Sequence, residues 1–369
     1  MAQQTLTKTY VDSVSYSYFL QSEWNQVIEI GQEALAQSID FELLHQRMGY
    51  AYYAKQMYYA AIKHYQLALK FDADNPISHS YLYYSALYVS NISMARYHAA
   101  KLKSLDMKID LPAQVRPVDA VDVEYNYKIN NYDLRGNSHY TRFGFNSLLG
   151  YRFALYQSFS TYSQVTDYNN HTRQNEYYVS GSYSLLRSTN FVGAYHYVGT
   201  QYNTPTDSLS IPGHLLMAML SQHLGRFDIS LSYSQFTNEF VDVKQKSMQM
   251  GVWLPLRTKI YLKSAVHHIA DTQSAGFVFG QSIGALISTR LWLQTGVLLG
   301  NLNYFSDNNA LYLYNSMDPT TFRSAATLFY YPTKNLILFS NYTYDKKQTV
   351  DTQFLYNQHS ITGGFIWKL

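Results

Sequence analysis

The residues of this chain that could do chemistry sit in strand-like stretches. His196, His267 and His268 lie where apolar and polar residues alternate, and serines are plentiful around them. A serine activated by a histidine and a carboxylate would be a nucleophilic catalyst, and such triads assemble in space rather than along the sequence. Asp228 and Arg152 supply charge in other stretches. Yet no GxSxG, HExxH, phosphate-binding loop or paired-acid motif occurs. Neighbouring side chains on a strand point to opposite faces, so His267 and His268 cannot hold one metal ion. With no cysteine, disulfides and thiolate metal sites are excluded. The sequence nominates no catalytic residue, no metal ligand and no cofactor, and a non-enzyme is expected.

The elements that carry these residues have a period of two. In "GRFDISLSYSQF", Phe227, Ile229, Leu231 and Tyr233 alternate with Asp228, Ser230, Ser232 and Ser234. The same alternation runs from about Tyr151 to the C-terminus. Short connections at Leu149–Gly150, Arg187–Thr189, Gly225, Pro255–Arg257, Ser288–Thr289 and Pro332–Lys334 interleave with longer polar segments. These are Asn130–Asn137, Gln164–Arg173, Asn203–Ser210, Asn238–Val243, Asp271–Ser274, Tyr304–Thr321 and Lys346–Phe354. Seven loops and six turns predict 14 antiparallel strands of about 10 to 13 residues. A soluble sandwich uses strands of about 5 or 6 residues. Strands about twice as long can cross about 25 Å of hydrocarbon when tilted, with the apolar face on lipid and the polar face in a wet lumen. An outer-membrane β-barrel is expected over 119–369, with tight turns and both of its termini in the periplasm.

The face opposite the apolar one offers Arg152, Tyr156, Tyr178, His196, Asp228, Tyr261, Lys263 and Gln294 as lumenal residues. Mixed charge with tyrosine rings suits a neutral or weakly charged polymer such as a glycan. It suits equally a lumen plugged by its own hydrogen-bonded side chains. Most of the 38 tyrosines are expected in girdles at the membrane interfaces. Charged residues are 14% of the chain and the formal net charge is +3, which is no clustered basic face for nucleic acid. No apolar run reaches the about 18 residues of a membrane-spanning helix.

Residues 8–107 follow a helical period instead, with a repeat of 34 residues. The copy Glu42–Asn75 resembles the tetratricopeptide consensus. Gly49, Ala61 and Ala68 are small where paired helices approach, Tyr52 and Tyr65 fill the space between repeats, and Tyr58 precedes the second helix. Offsets of 34 residues place Trp24 and Ala34 in an earlier copy and Ala95 and Ala99 in a later one, which makes about three repeats. Pro112 and Pro117 mark a linker over 108–118. Ala2-Gln3-Gln4 reads either as the remnant of a cleaved signal behind an added Met or as the start of a cytosolic chain.

The final stretch "HSITGGFIWKL" resembles the C-terminal signal read by the barrel-assembly machinery, through Phe365 and Trp367, although Leu369 replaces the usual terminal aromatic. Helical repeats ahead of such a barrel resemble the poly-N-acetylglucosamine type of exopolysaccharide exporter and the YaiO-type barrels. That resemblance implies repeats that dock a periplasmic or outer-membrane protein, and a barrel that passes a polymer across the outer membrane. Three repeats are far fewer than the exporters carry. A non-conducting barrel that anchors a larger complex is the alternative. Outer-membrane lipid, the assembly machinery and a glycan are the other expected partners.

Overall fold

A computed structural model of the chain describes residues 6–89, 91–107, 111, 115–166, 170–186, 188–254, 256, 258–316, 318–350 and 352–369. Pro112, Arg187, Pro255 and Arg257 lie outside the described residues, as do 108–110 of the linker and 167–169 of one expected loop. The chain divides into a helical unit and a strand unit.

The helical unit holds α1 (Lys8–Leu20), α2 (Trp24–Ala36), α3 (Glu42–Ala54), α4 (Tyr58–Ala68), α5 (Pro76–Tyr88) and α6 (Ile92–Ser104). They make three hairpins whose helix starts recur every 34 residues. Thr7, Asn75 and Asn91 cap α1, α5 and α6 by accepting from backbone amides, and Pro76 opens α5 where no amide donor is needed. After α1 and α3 the chain turns through left-handed Ser22 and Gln56, with φ of 59° and 58°. Gly49 is required by close approach: a Cβ there would stand 2.9 Å from the Tyr65 ring. Ala61 and Ala68 are fully buried, Tyr65 is nearly so, and Tyr58 stacks on Tyr88 at 4.3 Å.

Two buried histidine pairs recur at the repeat spacing, and the sequence reading missed them. His45 Nδ1 lies 3.1 Å from His64 Nδ1, and His79 Nδ1 lies 2.7 Å from His98 Nδ1. Each contact needs one donating and one accepting ring. His79 Nε2 is 3.0 Å from the Ala73 carbonyl, so the proton belongs there and His98 donates between the rings. His45 Nε2 stands 2.8 Å from Asp40 and takes the same tautomer, with His64 donating. Burial pushes the His45 pKa down and that of His64 down to about 4, so this pair stays neutral near pH 7.

The strand unit is a closed antiparallel barrel of 14 strands. In order they are β1 (Val115–Asn130), β2 (Arg135–Leu149), β3 (Phe153–Thr166), β4 (His171–Leu186), β5 (Thr189–Asn203), β6 (Ser208–Leu224), β7 (Phe227–Asn238), β8 (Asp242–Trp253), β9 (Ile260–Ala270), β10 (Ala275–Ser288) and β11 (Leu291–Leu299). A small hairpin, β12 (Ser306–Asp307) with β13 (Tyr312–Leu313), stands apart before β14 (Thr320–Tyr330), β15 (Leu336–Gln348) and β16 (Leu355–Lys368). Closure pairs β1 with β16 from Ala120↔Lys368 to Asn130↔Gln358. The Leu369 amide adds a bond to the Asp119 carbonyl, while Trp367 points outward.

Burial is inverted relative to a soluble protein. On β1, Asp122, Glu124 and Asn126 are buried and Tyr125 and Ile129 exposed; on β7, Ser234 is buried and Leu231 and Tyr233 exposed. On the outer surface three histidines hydrogen-bond through Nδ1 with tyrosine hydroxyls on adjacent strands: Tyr125 with His139, Tyr195 with His214 and Tyr342 with His359, at 2.7–2.9 Å. Rings with a polar tip of this kind suit a membrane interface.

Three expectations need correction. Strands span 9 to 17 residues rather than about 10 to 13. They run into segments read as loops, leaving connections such as 131–134 and 204–207, while 271–274 is the connection expected. A strand that leaves an apolar layer keeps pairing in water and needs no apolar face there. β1 begins at Val115, inside the expected linker. Its register shifts between Arg116 and Ala120, and this irregularity accommodates Pro117, which has no amide to give a ladder.

Candidate solute pathway through the barrel

The inward faces are not uniformly polar. On β5 and β6, Val192, Ala194, Leu215 and Met217 point inward and are buried, although the outward Leu216 and Leu220 are apolar as well. What covers the inner apolar patch is the connection between β11 and β14, of which Tyr304–Thr321 was expected as an outer loop. It folds back into the lumen. Leu302 and Phe305 are fully buried against Val278, and Ala310 and Leu311 pack on the β5–β6 patch with Tyr178 and Phe236.

The hairpin tip takes three consecutive left-handed residues, Asn308, Asn309 and Ala310, with φ of 48°, 58° and 65°. Asparagine tolerates this region; alanine pays about 1 kcal/mol or more. The wall holds the tip in place. Tyr178 donates to the Asn309 carbonyl at 2.7 Å and His196 Nδ1 sits 2.9 Å from the Ala310 carbonyl. Gln245 brackets Ser306 through its amide and carbonyl, and Tyr312 donates to Glu124 across the lumen at 2.7 Å. Asp318 accepts from Arg135 and from Tyr356.

Beside the hairpin a cavity of about 840 Å³ remains, lined along the height of the barrel by β1–β5 and β8–β16. At the end of the longer connections the lining is charged and hydroxylic. At the turn end it is apolar, with Phe329, Phe339 and Ile366. Trp253, Tyr261 and Trp292 cluster nearby at 4.8 and 5.9 Å. Glycines on neighbouring strands make room for them: a Cβ on Gly251 or Gly284 would collide with Tyr261 or Trp292.

Fixed ion pairs occupy the lumen. Arg142 bridges Glu124 at 2.6 Å and Asp122 at 3.4 Å and also donates to Tyr156. Arg323 forms two bonds with Asp345, at 2.6 and 2.7 Å, under the Tyr314 ring. Glu176 accepts from Ser160 and lies 3.4 Å from His196.

The residues expected in the lumen divide as follows. Tyr156, Lys263 and Gln294 line the cavity. Tyr178 and His196 hold the hairpin. Asp228 and Tyr261 bond each other at 3.1 Å near the turn end, with His223 on the same carboxylate. Arg152 is a correction: it lies in the turn before β3, its guanidinium 4.8 Å from the ring of outward-facing Tyr183. The strand starts one residue later, so parity does not carry Arg152 inward. His267 bonds Ser247 at 2.8 Å and packs edge-on against Phe305, while His268 meets outward Phe277. Sequence reasoning missed Asp122, Glu124, Asn126 and Lys128, though they alternate with Val121, Val123, Tyr125 and Tyr127 in plain period two.

Neither a protein-family model nor a curated protein sequence matches the chain. Among solved structures it is similar to the CymD monoaromatic hydrocarbon channel, at 10% identity over 73% of this chain and 91% of that one, with a TM-score of 0.46. The toluene transporter TbuX of Ralstonia pickettii gives 10%, 69%, 90% and 0.47, and a bacterial polysaccharide outer membrane secretin gives 7%, 69%, 99% and 0.44. Likeness at this level carries nothing about cargo.

Proposed function

We propose that the chain is an outer-membrane transport protein, its barrel a narrow passage and its helical unit a periplasmic adaptor. The apolar outer surface supports the membrane placement, since lipid is the solvent that leaves Leu231 or Ile361 exposed at no cost. The observation that carries the transport reading is the cavity of about 840 Å³ that persists beside an inward-folded hairpin. Such a passage fits a small hydrophilic solute, or a polysaccharide strand threaded single-file, and excludes a folded protein. The helices expose Tyr16, Leu20, Ile77 and Tyr88, apolar groups suited to a protein partner on tetratricopeptide-like repeats.

The many bonds that tie the hairpin to opposite walls favour a second reading, a sealed barrel that anchors a complex. Osmotic swelling of liposomes holding the full chain separates the two. Passage predicts swelling in monosaccharides that slows steeply for oligosaccharides. No swelling with any solute supports the anchor.

A further inference from the structure

The lumenal carboxylates and cations are unequally matched. Asp345 and Asp318 each give both oxygens to an arginine, Glu124 and Asp122 share Arg142, and Glu176 faces His196. Among the described residues that line the cavity, Lys128, Lys263 and Lys347 have no such partner, and the carboxylate of Asp307 has none either. The Lys347 ammonium donates only to neutral oxygens, Ser316 Oγ at 2.8 Å and the Asp318 carbonyl at 3.1 Å. Lys128 makes no hydrogen bond or ion pair among the described residues, and its ammonium stands 5.6 Å from the Tyr162 ring centroid. The two lysines flank β16 on the inward face, Lys347 paired with Tyr356 and Lys128 with Ser360.

Below them the register builds a ladder of neutral hydrogen-bonding groups facing the cavity. Gln358, Ser360 and Thr362 rise on β16 beside Thr343 and Asn341. Asn126 donates to Thr362 at 2.6 Å, yet its own Oδ1 is buried with no partner, and so is Arg142 Nε. Both residues line the cavity, and a buried acceptor or donor left without a partner in its wall is costly.

We propose that this half of the lumen is a binding site for an acidic sugar. A uronate carboxylate meets Lys128 and Lys347, ring hydroxyls meet Asn126 and the amide–hydroxyl ladder, and the Tyr162 ring offers a face to the sugar. This rests on the reading of the barrel as a solute passage and names its solute class as anionic rather than neutral.

Calorimetric titration of the detergent-purified full chain tests it, with trimannuronate, mannotriose and citrate as probes. Trimannuronate should bind at least about tenfold more tightly than mannotriose or citrate, about 1.4 kcal/mol. Lys128→Gln and Lys347→Gln should each erase that margin, whereas Lys346→Gln on the outward face of β15 should keep it. Heat-shifted gel migration confirms that each variant is a folded barrel. Equal binding of the two sugars, citrate as tight as the uronate, a margin that survives both lysine changes, or no binding at all overturns the site. Swelling is read separately. Permeation without uronate preference removes the acidic-sugar site and leaves the passage; neither permeation nor binding removes both.

Discussion

Tyr65 and Tyr125 do opposite work in one chain. Tyr65, between two helices, is 1% exposed with Gly49 pressed on its ring; Tyr125, on a strand, is 47% exposed and reaches sideways to His139. Some histidines divide likewise, His45, His64, His79 and His98 paired in the helical core and His139, His214 and His359 set beside tyrosines on the barrel surface. In the helical unit water is outside, so apolar residues go in. In the barrel the charges go in and the apolar residues go out. One composition serves both because side-chain period, 3.6 or two, decides which face each residue joins.

The contrast can be broken at four places. The largest effect is expected inside the barrel. Arg142→Met strands Glu124 and Asp122 in the lumen wall, which should cost about 3–5 kcal/mol and show as a lower unfolding midpoint of the refolded barrel in urea. Next is the outer face, where Leu231→Arg should cost about 2–4 kcal/mol and lower the yield of assembled protein in membranes. Ser232→Arg, one residue on and inward, should assemble far better; equal yields would mean that the faces are misassigned.

Third is acid. The His64 pKa near 4 lies below the ordinary 6.5, so the folded helices bind fewer protons than the unfolded chain. Their stability is full above about pH 6.5 and declines as pH falls toward 4, by up to about 3 kcal/mol from this residue. Lys63 and His45 add repulsion to the burial that causes it. Helical circular dichroism of the full chain should melt earlier at pH 4.5 than at pH 7, while the heat-shifted barrel band stays unchanged. The smallest effect is Tyr178→Phe, which removes one bond to the hairpin tip, about 1 kcal/mol, and should appear as faster protease cutting near Asn309.

Much of this was legible in the sequence. The alternation in 227–236 placed the faces of β7, and the 34-residue spacing placed all six helices. The histidine pairs were legible too, since positions 45 and 79, and 64 and 98, share that spacing, but a lone histidine in a helix carries no sign of its partner. The inward hairpin was not read. Leu302, Phe305 and Leu311 follow no regular period, and Asn308 and Asn309 look like loop residues. Its trace lay elsewhere, in "LLMAML" of β6, apolar on both faces, where something must cover the inner one. The ion pairs of Arg142 depend on register, which local pattern does not supply.

The account turns on a passage that the hairpin narrows. Single-channel conductance of the full chain, beside a variant in which 304–316 is replaced by a short Gly-Ser turn, tests this most directly. A small steady conductance that rises severalfold in the variant is the predicted result. Equal conductance, or silence from both, would contradict it.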